Sequence, residues 1–219
     1  MWVPTGGRDA LRDAALEYAG WGWRVAPAHY AHWPGRHRRT RRRPEGNHPG
    51  IPPVGCSCAK RGCTTPGGHP VGQDWAVRAS AARAAVLGWW GHVRPWNIAL
   101  VTGEQFDVWT VPAAVARAAL RSIEAGDHPL GPVAYGPRGW QFFSAPVGGA
   151  GAYGWDLPPG MSYSGRDRYV LAAPSDGAAR VRWYRGPFGG GTPRMPPWES
   201  TLDALLGGAR SSAVLSRTD

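Results

Sequence analysis

The sequence predicts an α+β fold, in which helices and strands are mixed without a regular β-α-β alternation. Three observations support this prediction. Apolar residues recur at helical spacing in several segments, and short runs rich in β-branched and aromatic residues lie between them. Glycine or proline marks most of the boundaries. With 219 residues and a hydrophobic content of 42%, the chain is large enough to form a real core.

The N-terminal half contains two predicted helices and two predicted strands. The first helix covers 9–20, where apolar residues share one face. A short strand is predicted over 23–27 and a buried strand over 97–102. Between the two strands, a second helix is predicted over 80–92, with Ser80 as its N-cap.

The C-terminal half adds a hairpin, further strands and two helices. In chain order, the predicted elements are a strand over 106–111, a helix over 112–125, a hairpin over 133–143, strands over 169–172 and 180–184, and a short helix over 200–206. This organisation predicts a single domain over 1–206, with a basic loop and a cysteine-containing insertion over 28–70. A disordered tail is expected over 207–219.

The positive charge of the chain suggests a polyanionic partner such as nucleic acid. The formal net charge is +10 at pH 7, and Lys60 is the only lysine among the 25 basic residues. A GC-rich genome would also produce this abundance of arginine, glycine and tryptophan. Overall charge alone therefore leaves both explanations open.

The sequence gives no indication of membrane insertion or export. No apolar run approaches the roughly 18 residues that a membrane span requires, and the N-terminal residues lack the pattern of a signal peptide. The three cysteines are odd in number and clustered, which argues against a disulfide framework. We therefore expect a cytoplasmic protein with no membrane partner.

All three cysteines lie in one short segment, Cys56-Ser-Cys58-x4-Cys63-x5-His69, here called the knuckle. Three thiols and an imidazole suit a tetrahedral zinc ion. Four protein ligands leave no position for water, so the predicted zinc site is structural. His48 is an alternative fourth ligand. Free thiols beside a loop histidine are the alternative interpretation of the whole segment.

An arginine run precedes the knuckle. It comprises Arg36, Arg38, Arg39, Arg41, Arg42 and Arg43. One interpretation is that these side chains contact the phosphates of nucleic acid. The other is a solvated basic loop without a ligand, and the sequence leaves the two open.

Four segments occur in a particular order along the chain. They are Gly20-Trp-Gly-Trp-Arg-Val-Ala-Pro27 at the end of a helix, the knuckle, Trp96-Asn-Ile-Ala-Leu-Val-Thr-Gly103 after a helix ending in two tryptophans, and Tyr169-Val-Leu-Ala-Ala-Pro-Ser175. The ordered set resembles the N-terminal domain of bifunctional DNA primase/polymerases, as found in actinobacteria and in plasmid and phage replication proteins. The resemblance covers residues 9–185. It implies an archaeo-eukaryotic primase-like fold, an RRM-like sheet with flanking helices, with the zinc knuckle as an insertion.

The resemblance also implies a two-metal site for nucleotidyl transfer. In such a site, carboxylates hold two Mg²⁺ or Mn²⁺ ions that activate a 3′-hydroxyl and stabilise the leaving pyrophosphate. The family's paired acids fall here on Thr110 and Pro112. The histidine of its hairpin falls on Gln141, and its third acid falls on Ser162. Asp107 has an odd offset from Thr110, which predicts that it lies on the opposite face of the strand.

These features predict a primase/polymerase-like domain that has lost its catalytic acids and that binds DNA or regulates replication or transcription. Two alternatives stay open. One is an active enzyme with relocated carboxylates, for which the candidates are Glu104, Asp107, Asp156 and Asp167. The other is a protein-interaction scaffold without a nucleic-acid role.

Overall fold

The computed structural model describes residues 8–32, 55–91, 94–126, 129–148, 155–177, 180–187 and 191–215. Within these ranges, it confirms the predicted mixture of helices and strands. None of the helices in them is both long enough and apolar enough to cross a membrane. The chain divides into two compact units, and each unit contains its own main sheet.

The described residues form five helices and ten strands. The helices are α1 (Arg8–Gly20), α2 (Trp75–Arg78), α3 (Arg83–Trp90), α4 (Ala113–Glu124) and α5 (Trp198–Leu215). The strands are β1 (Val25–Ala28), β2 (Ala31–His32), β3 (Gly55–Cys56), β4 (Asn97–Thr102), β5 (Asp107–Val111), β6 (Val133–Gly136), β7 (Gly139–Ser144), β8 (Ser162–Ser164), β9 (Arg168–Leu171) and β10 (Arg182–Arg185).

The first unit comprises the described residues up to Val101 together with Tyr169–Arg182. Its sheet has the strand order β1-β4-β9, and β1 runs antiparallel to β4. Every residue of β4 is buried, in agreement with the apolar run that predicted this strand. Helices α1 and α3 pack against each other. The hydroxyl of Tyr18 in α1 donates a hydrogen bond to the carbonyl oxygen of Ala173, which ties the helix to the segment after β9.

The side chain of Asn97 joins separate segments of the first unit at the start of β4. Its amide nitrogen donates to three backbone carbonyl oxygens, those of His29, Gly67 and Asp176, at 2.9–3.1 Å. Its side-chain oxygen accepts a hydrogen bond from the backbone N–H of Asp176 at 3.0 Å. Asn97 is only 1% exposed, so water cannot replace these partners without opening the core.

The second predicted helix begins later than expected, and this corrects the assignment of Ser80 as its N-cap. Helix α3 starts at Arg83 because Ser80 is held in extended pairing with Val25 by two backbone hydrogen bonds. The Ser80 hydroxyl still accepts a hydrogen bond from the backbone N–H of Ala82, but it does so outside the helix. The single turn α2, which was not predicted, precedes this pairing.

The second unit comprises Thr102–Arg168 and the described residues from Trp183 onwards. Its sheet has the strand order β10-β6-β7-β5-β8, and the predicted hairpin is formed by β6 and β7. Helices α4 and α5 pack against each other and cover one face of this sheet. The core between them includes Trp109, Phe142 and Leu205.

The last helix is longer than the sequence predicted. Helix α5 ends at Leu215, whereas a helix ending at Leu206 and a disordered tail were expected. Two adjacent glycines suggested the earlier end because glycine has a low helix propensity. However, Gly208 is buried against α4, where an added Cβ would lie 2.7 Å from the carbonyl oxygen of Val115 and 2.9 Å from the amide nitrogen of Ala119. The absence of a side chain therefore allows the two helix backbones to approach closely.

We predict that Asn97→Asp destabilises the protein by about 2–4 kcal/mol, because the two N–H donors shared among three carbonyl oxygens are lost and a carboxylate is placed against those oxygens. Urea unfolding followed by circular dichroism measures the change. The matched control is Gln73→Glu, the same amide-to-acid change at an exposed position of the first unit. Equal midpoints for the two variants would show that Asn97 does not join these segments.

We predict that Gly208→Ala lowers the free energy of unfolding by about 1–3 kcal/mol, because a methyl group does not fit against the α4 backbone. At Gly207, the nearest atom to an added Cβ is a flexible arginine terminus at 3.8 Å. Gly207→Ala should therefore be neutral, or stabilising by up to about 1 kcal/mol through its higher helix propensity. Thermal unfolding of the two variants tests the helix contact, and a more stable Gly208→Ala protein would refute it.

Candidate metal centre and polar row of the second sheet

The knuckle is formed by a short pair of antiparallel strands and the tight loop that follows the second of them. Strands β2 and β3 pair antiparallel with Ala31 opposite Cys56, which fixes the position of the first cysteine. Gly67 has a φ of 69°, and an added Cβ there would lie 2.7 Å from the amide nitrogen of Ala31. Only glycine suits both conditions. This turn leads the chain back so that His69 reaches the cysteines.

The four predicted ligands of the knuckle lie close together. One ligand atom from each of Cys56, Cys58, Cys63 and His69 lies within 4.8 Å of every other. The Nε2 atom of His69 is 3.5 Å from the Sγ atoms of both Cys56 and Cys63. Tetrahedral zinc, with Zn–S bonds of about 2.3 Å and Zn–N bonds of about 2.0–2.1 Å, places sulfur and nitrogen about 3.5 Å apart. The donor set and its spacing therefore fit a metal ion such as zinc.

Hydrogen bonds around the knuckle orient its imidazole ring. The Nδ1 atom of His69 lies 3.2 Å from the carbonyl oxygen of Pro70, and a hydrogen bond there leaves Nε2 free to bind a metal. The ring of His29 packs beside that of His69 with centroids 4.6 Å apart, and its Nδ1 is hydrogen-bonded to Ser57 Oγ at 2.8 Å. Burial, followed by the charges of His69 and Lys60, lowers the pKa of His29, which favours its neutral form.

Two of the thiols have shifted acidities. Burial raises the pKa of Cys56, although the backbone N–H of Gly67 donates to its Sγ at 3.4 Å and opposes the shift. Burial also acts to raise the pKa of Cys58, but hydrogen bonds from the backbone and the other thiols, with the charge of Lys60, outweigh it, so that its pKa is lowered. A bound cation would favour the thiolate form of all three cysteines.

Other predicted site residues lie outside the described part of the chain. These are the six arginines of the arginine run, Arg36, Arg38, Arg39, Arg41, Arg42 and Arg43, and the alternative ligand His48. Their roles stay predictions.

Polar side chains cross the second sheet at the positions where the resemblance places catalytic groups. Thr110 of β5 is directly opposite Gln141 of β7 on one side and Ser162 of β8 on the other. Directly paired residues point to the same face of a sheet. These three side chains, here called the polar row, therefore lie side by side. Thr110 and Gln141 are buried, and Ser162 is exposed.

Asp107 lies on the opposite face of β5 from the polar row. It shares its face with Trp109, two residues further along β5, which belongs to the core beneath α4 and α5. Its Oδ2 atom accepts hydrogen bonds from the hydroxyl of Tyr163 and from the backbone N–H of Val147. Its Oδ1 atom is buried and has no hydrogen-bond partner within the described residues. Asp107 is therefore engaged in the core and cannot serve the polar row.

The donors of the polar row do not fit a two-metal site. Mg²⁺ and Mn²⁺ prefer anionic oxygen ligands, whereas the polar row offers two hydroxyl groups and one amide. Pro112, at the N-cap of α4, supplies no side-chain donor. Across the described ranges, the knuckle is the group of three or more His, Cys, Asp or Glu residues that could hold a metal ion. The acids Glu104, Asp156 and Asp167 are exposed and belong to no such group.

A comparison with protein families gives an independent assignment. The model of the family described as bifunctional DNA primase/polymerase, N-terminal, matches residues 15–198. The chain belongs to this family. The matched residues include both the knuckle and the polar row of this primase/polymerase-family chain. No curated protein and no solved structure matches it.

Residues other than the predicted ligands support the metal centre of this primase/polymerase-family chain. Ser57 could have been considered from the sequence, because it lies between two candidate ligands. Its hydroxyl accepts a hydrogen bond from the backbone N–H of Tyr30. His29 had no such signal, because it reaches the knuckle only through β-pairing of segments that are distant in the sequence. The side-chain oxygen of Gln141 is buried and has no hydrogen-bond partner among the described residues. The sequence gives no sign of this.

We predict that the purified protein binds one zinc ion in the knuckle. Loss of a residue that only supports a ligand typically weakens metal binding by roughly 10–100-fold. Cys63→Ser should weaken zinc binding by more than this, because it removes a ligand itself. Acid should release the ion, because protons compete with it for the thiolates and the imidazole. Titration with a chromogenic chelator across a pH series measures both effects. The control is Thr64→Ala, a change at the exposed neighbour of Cys63. Equal affinities for the two variants would contradict the assignment of Cys63 as a ligand.

Proposed function

We propose that this chain is a DNA primase/polymerase-like domain that binds nucleic acid and does not catalyse nucleotidyl transfer. The observation that carries the proposal is the polar row. Thr110, Gln141 and Ser162 stand in register on three neighbouring strands. These are the positions to which the resemblance assigns the family's catalytic groups, and none of the three residues is an acid. The β-pairing supports this correspondence, since it places residues from three distant segments on one face.

The chemistry of nucleotidyl transfer explains why neutral side chains argue against catalysis. Two divalent cations must be held close together while negative charge builds on the leaving pyrophosphate. Carboxylates offset the mutual repulsion of the two cations, and hydroxyl or amide oxygens carry no charge to do so. With Thr110, Gln141 and Ser162 in these positions, we infer no metal-dependent step at the polar row.

Relocated carboxylates are the competing explanation, and the described residues give it little support. Asp107 faces the core and hydrogen-bonds to Tyr163 there. The exposed acids Asp156 and Asp167 are not part of a metal-binding group within the described ranges. A displaced two-metal site would need several acids near one another, so we favour loss of activity over relocation.

The nucleic-acid role rests on family membership and charge. The net charge of +10 is concentrated in arginine, which pairs well with phosphate. We propose that the arginine run supplies phosphate contacts and that the zinc knuckle stabilises the loop beside it. We further propose an RRM-like, archaeo-eukaryotic primase-like arrangement of the sheets, a cytoplasmic location and a role in regulating replication or transcription.

The proposal predicts that the protein does not incorporate labelled nucleotide on a primed template with Mg²⁺ or Mn²⁺, because no acid is available at the polar row. Asp107→Ala is the diagnostic variant. Template-dependent incorporation by the wild-type protein that disappears in Asp107→Ala would overturn the proposal in favour of an active enzyme. An active family member assayed in parallel confirms that the template and the metal conditions are suitable.

The same preparation should bind single- or double-stranded DNA in filter binding, with an affinity that falls steeply as salt rises. Replacing the six arginines of the arginine run by glutamine should flatten this salt dependence, because fewer counterions are released. Absent or salt-independent binding by the wild-type protein would favour a protein-interaction scaffold.

A further inference from the structure

A small pocket opens in the second unit, away from the polar row. It has a volume of about 340 Å³, near the lower end of the roughly 300–1,000 Å³ typical of small-molecule sites. It lies where the chain enters β6 and leaves β10, and its lining includes Pro132, Arg185 and Arg194. The polar row crosses β7, β5 and β8, whereas β10 and β6 form the other edge of the sheet.

The wall of this pocket is closely packed. An added Cβ at Gly131 would lie 2.5 Å from a ring carbon of Pro196 and 2.7 Å from the carbonyl oxygen of Phe143. The backbone N–H of Phe143 donates to the carbonyl oxygen of Pro132, and the backbone N–H of Ala145 donates to that of Pro196. Proline has a fixed φ angle, so these contacts preorganise the wall. A preorganised wall lowers the entropy cost of binding a small ligand.

The charged residues among the described lining of the pocket are both positive. They are Arg185 and Arg194, and Thr192 adds a hydroxyl donor. Within the described residues, neither guanidinium forms an ion pair or a hydrogen bond with the protein. Most surface arginines need no explanation, but these two exposed guanidinium groups share one pocket with a packed wall and no acid among its described lining residues, which favours an anion. Guanidinium groups recognise phosphate through paired, charge-assisted hydrogen bonds.

We propose that this pocket binds a phosphoryl group of a nucleotide or of a nucleic-acid strand, held by Arg185 and Arg194. The site is separate from the polar row and requires no metal ion. Its existence does not depend on whether the protein binds long nucleic acid, because a free nucleotide or pyrophosphate carries the same chemistry.

Isothermal titration calorimetry with inorganic pyrophosphate, without added divalent ions, tests the site. The variant Arg185→Gln/Arg194→Gln should weaken binding by about tenfold or more, because two charge-assisted contacts are lost. The control Arg117→Gln/Arg121→Gln removes the same charge from exposed positions on α4 and should leave binding within about twofold. Arg185→Lys/Arg194→Lys keeps the charge but not the planar fork, so an intermediate affinity is expected. Thermal unfolding of each variant shows whether the fold is retained.

Competition then identifies the source of the phosphoryl group. Displacement of pyrophosphate by a deoxynucleoside triphosphate, but not by an oligonucleotide, indicates a free nucleotide. Displacement by an oligonucleotide with a 5′-phosphate, but not by its unphosphorylated form, indicates a strand end, and displacement by both indicates the backbone. The inference is overturned if the wild-type protein does not bind pyrophosphate saturably. It is equally overturned if the pocket variant binds like the wild type or if the α4 control loses as much affinity.

Oligonucleotide and pyrophosphate binding by the pocket variant together distinguish a failure of the pocket assignment from a failure of the proposed function. If an oligonucleotide still binds the pocket variant with wild-type affinity, nucleic-acid binding stands and the pocket assignment fails as a nucleic-acid contact. If pyrophosphate binding depends on the two arginines while oligonucleotides do not bind at all, the pocket assignment stands and the proposed nucleic-acid role fails.

Discussion

The buried amide of Asn97 imposes a strict local constraint on the first unit. One planar group donates to the carbonyls of His29, Gly67 and Asp176 and accepts from the backbone of Asp176. Because Gly67 also donates to the thiol of Cys56, the position of the buried strand β4 is coupled to the position of a metal ligand. This coupling and a bound ion would together hold the loop of the knuckle.

In the second unit, the alternation of β5 separates two kinds of residue. Trp109 and Val111 complete the core beneath the helices, while Thr110 faces the other way and aligns with its neighbours on β7 and β8. The side chains of the polar row therefore lie on the opposite face of the sheet from the core that α4 and α5 cover.

Local patterns predicted most of the fold, and tertiary contacts account for the differences. The apolar run of β4 and the turn of the β6–β7 hairpin were sufficient to identify those elements. The start of α3 was wrong because Ser80 pairs with Val25, and the end of α5 was wrong because Gly208 fits against α4. For the site, the spacing of the cysteines predicted the group of Cys56, Cys58, Cys63 and His69 that the fold brings together. The resemblance gave the positions Thr110, Gln141 and Ser162, which the β-pairing aligns. The contributions of His29 and Asn97 could not be predicted, since they depend on distant segments meeting in the fold.

Helix α5 begins at Trp198, the residue at which the family match ends, yet Ala204 and Leu205 within it are buried in the core of the second sheet. The recognisable family boundary and the physical boundary of the folded unit are therefore different. A fragment cut at residue 198 would retain every family motif and would expose the apolar surface that this helix covers. For this chain, expression boundaries are better chosen from the packing of α5 on α4 than from the extent of family similarity.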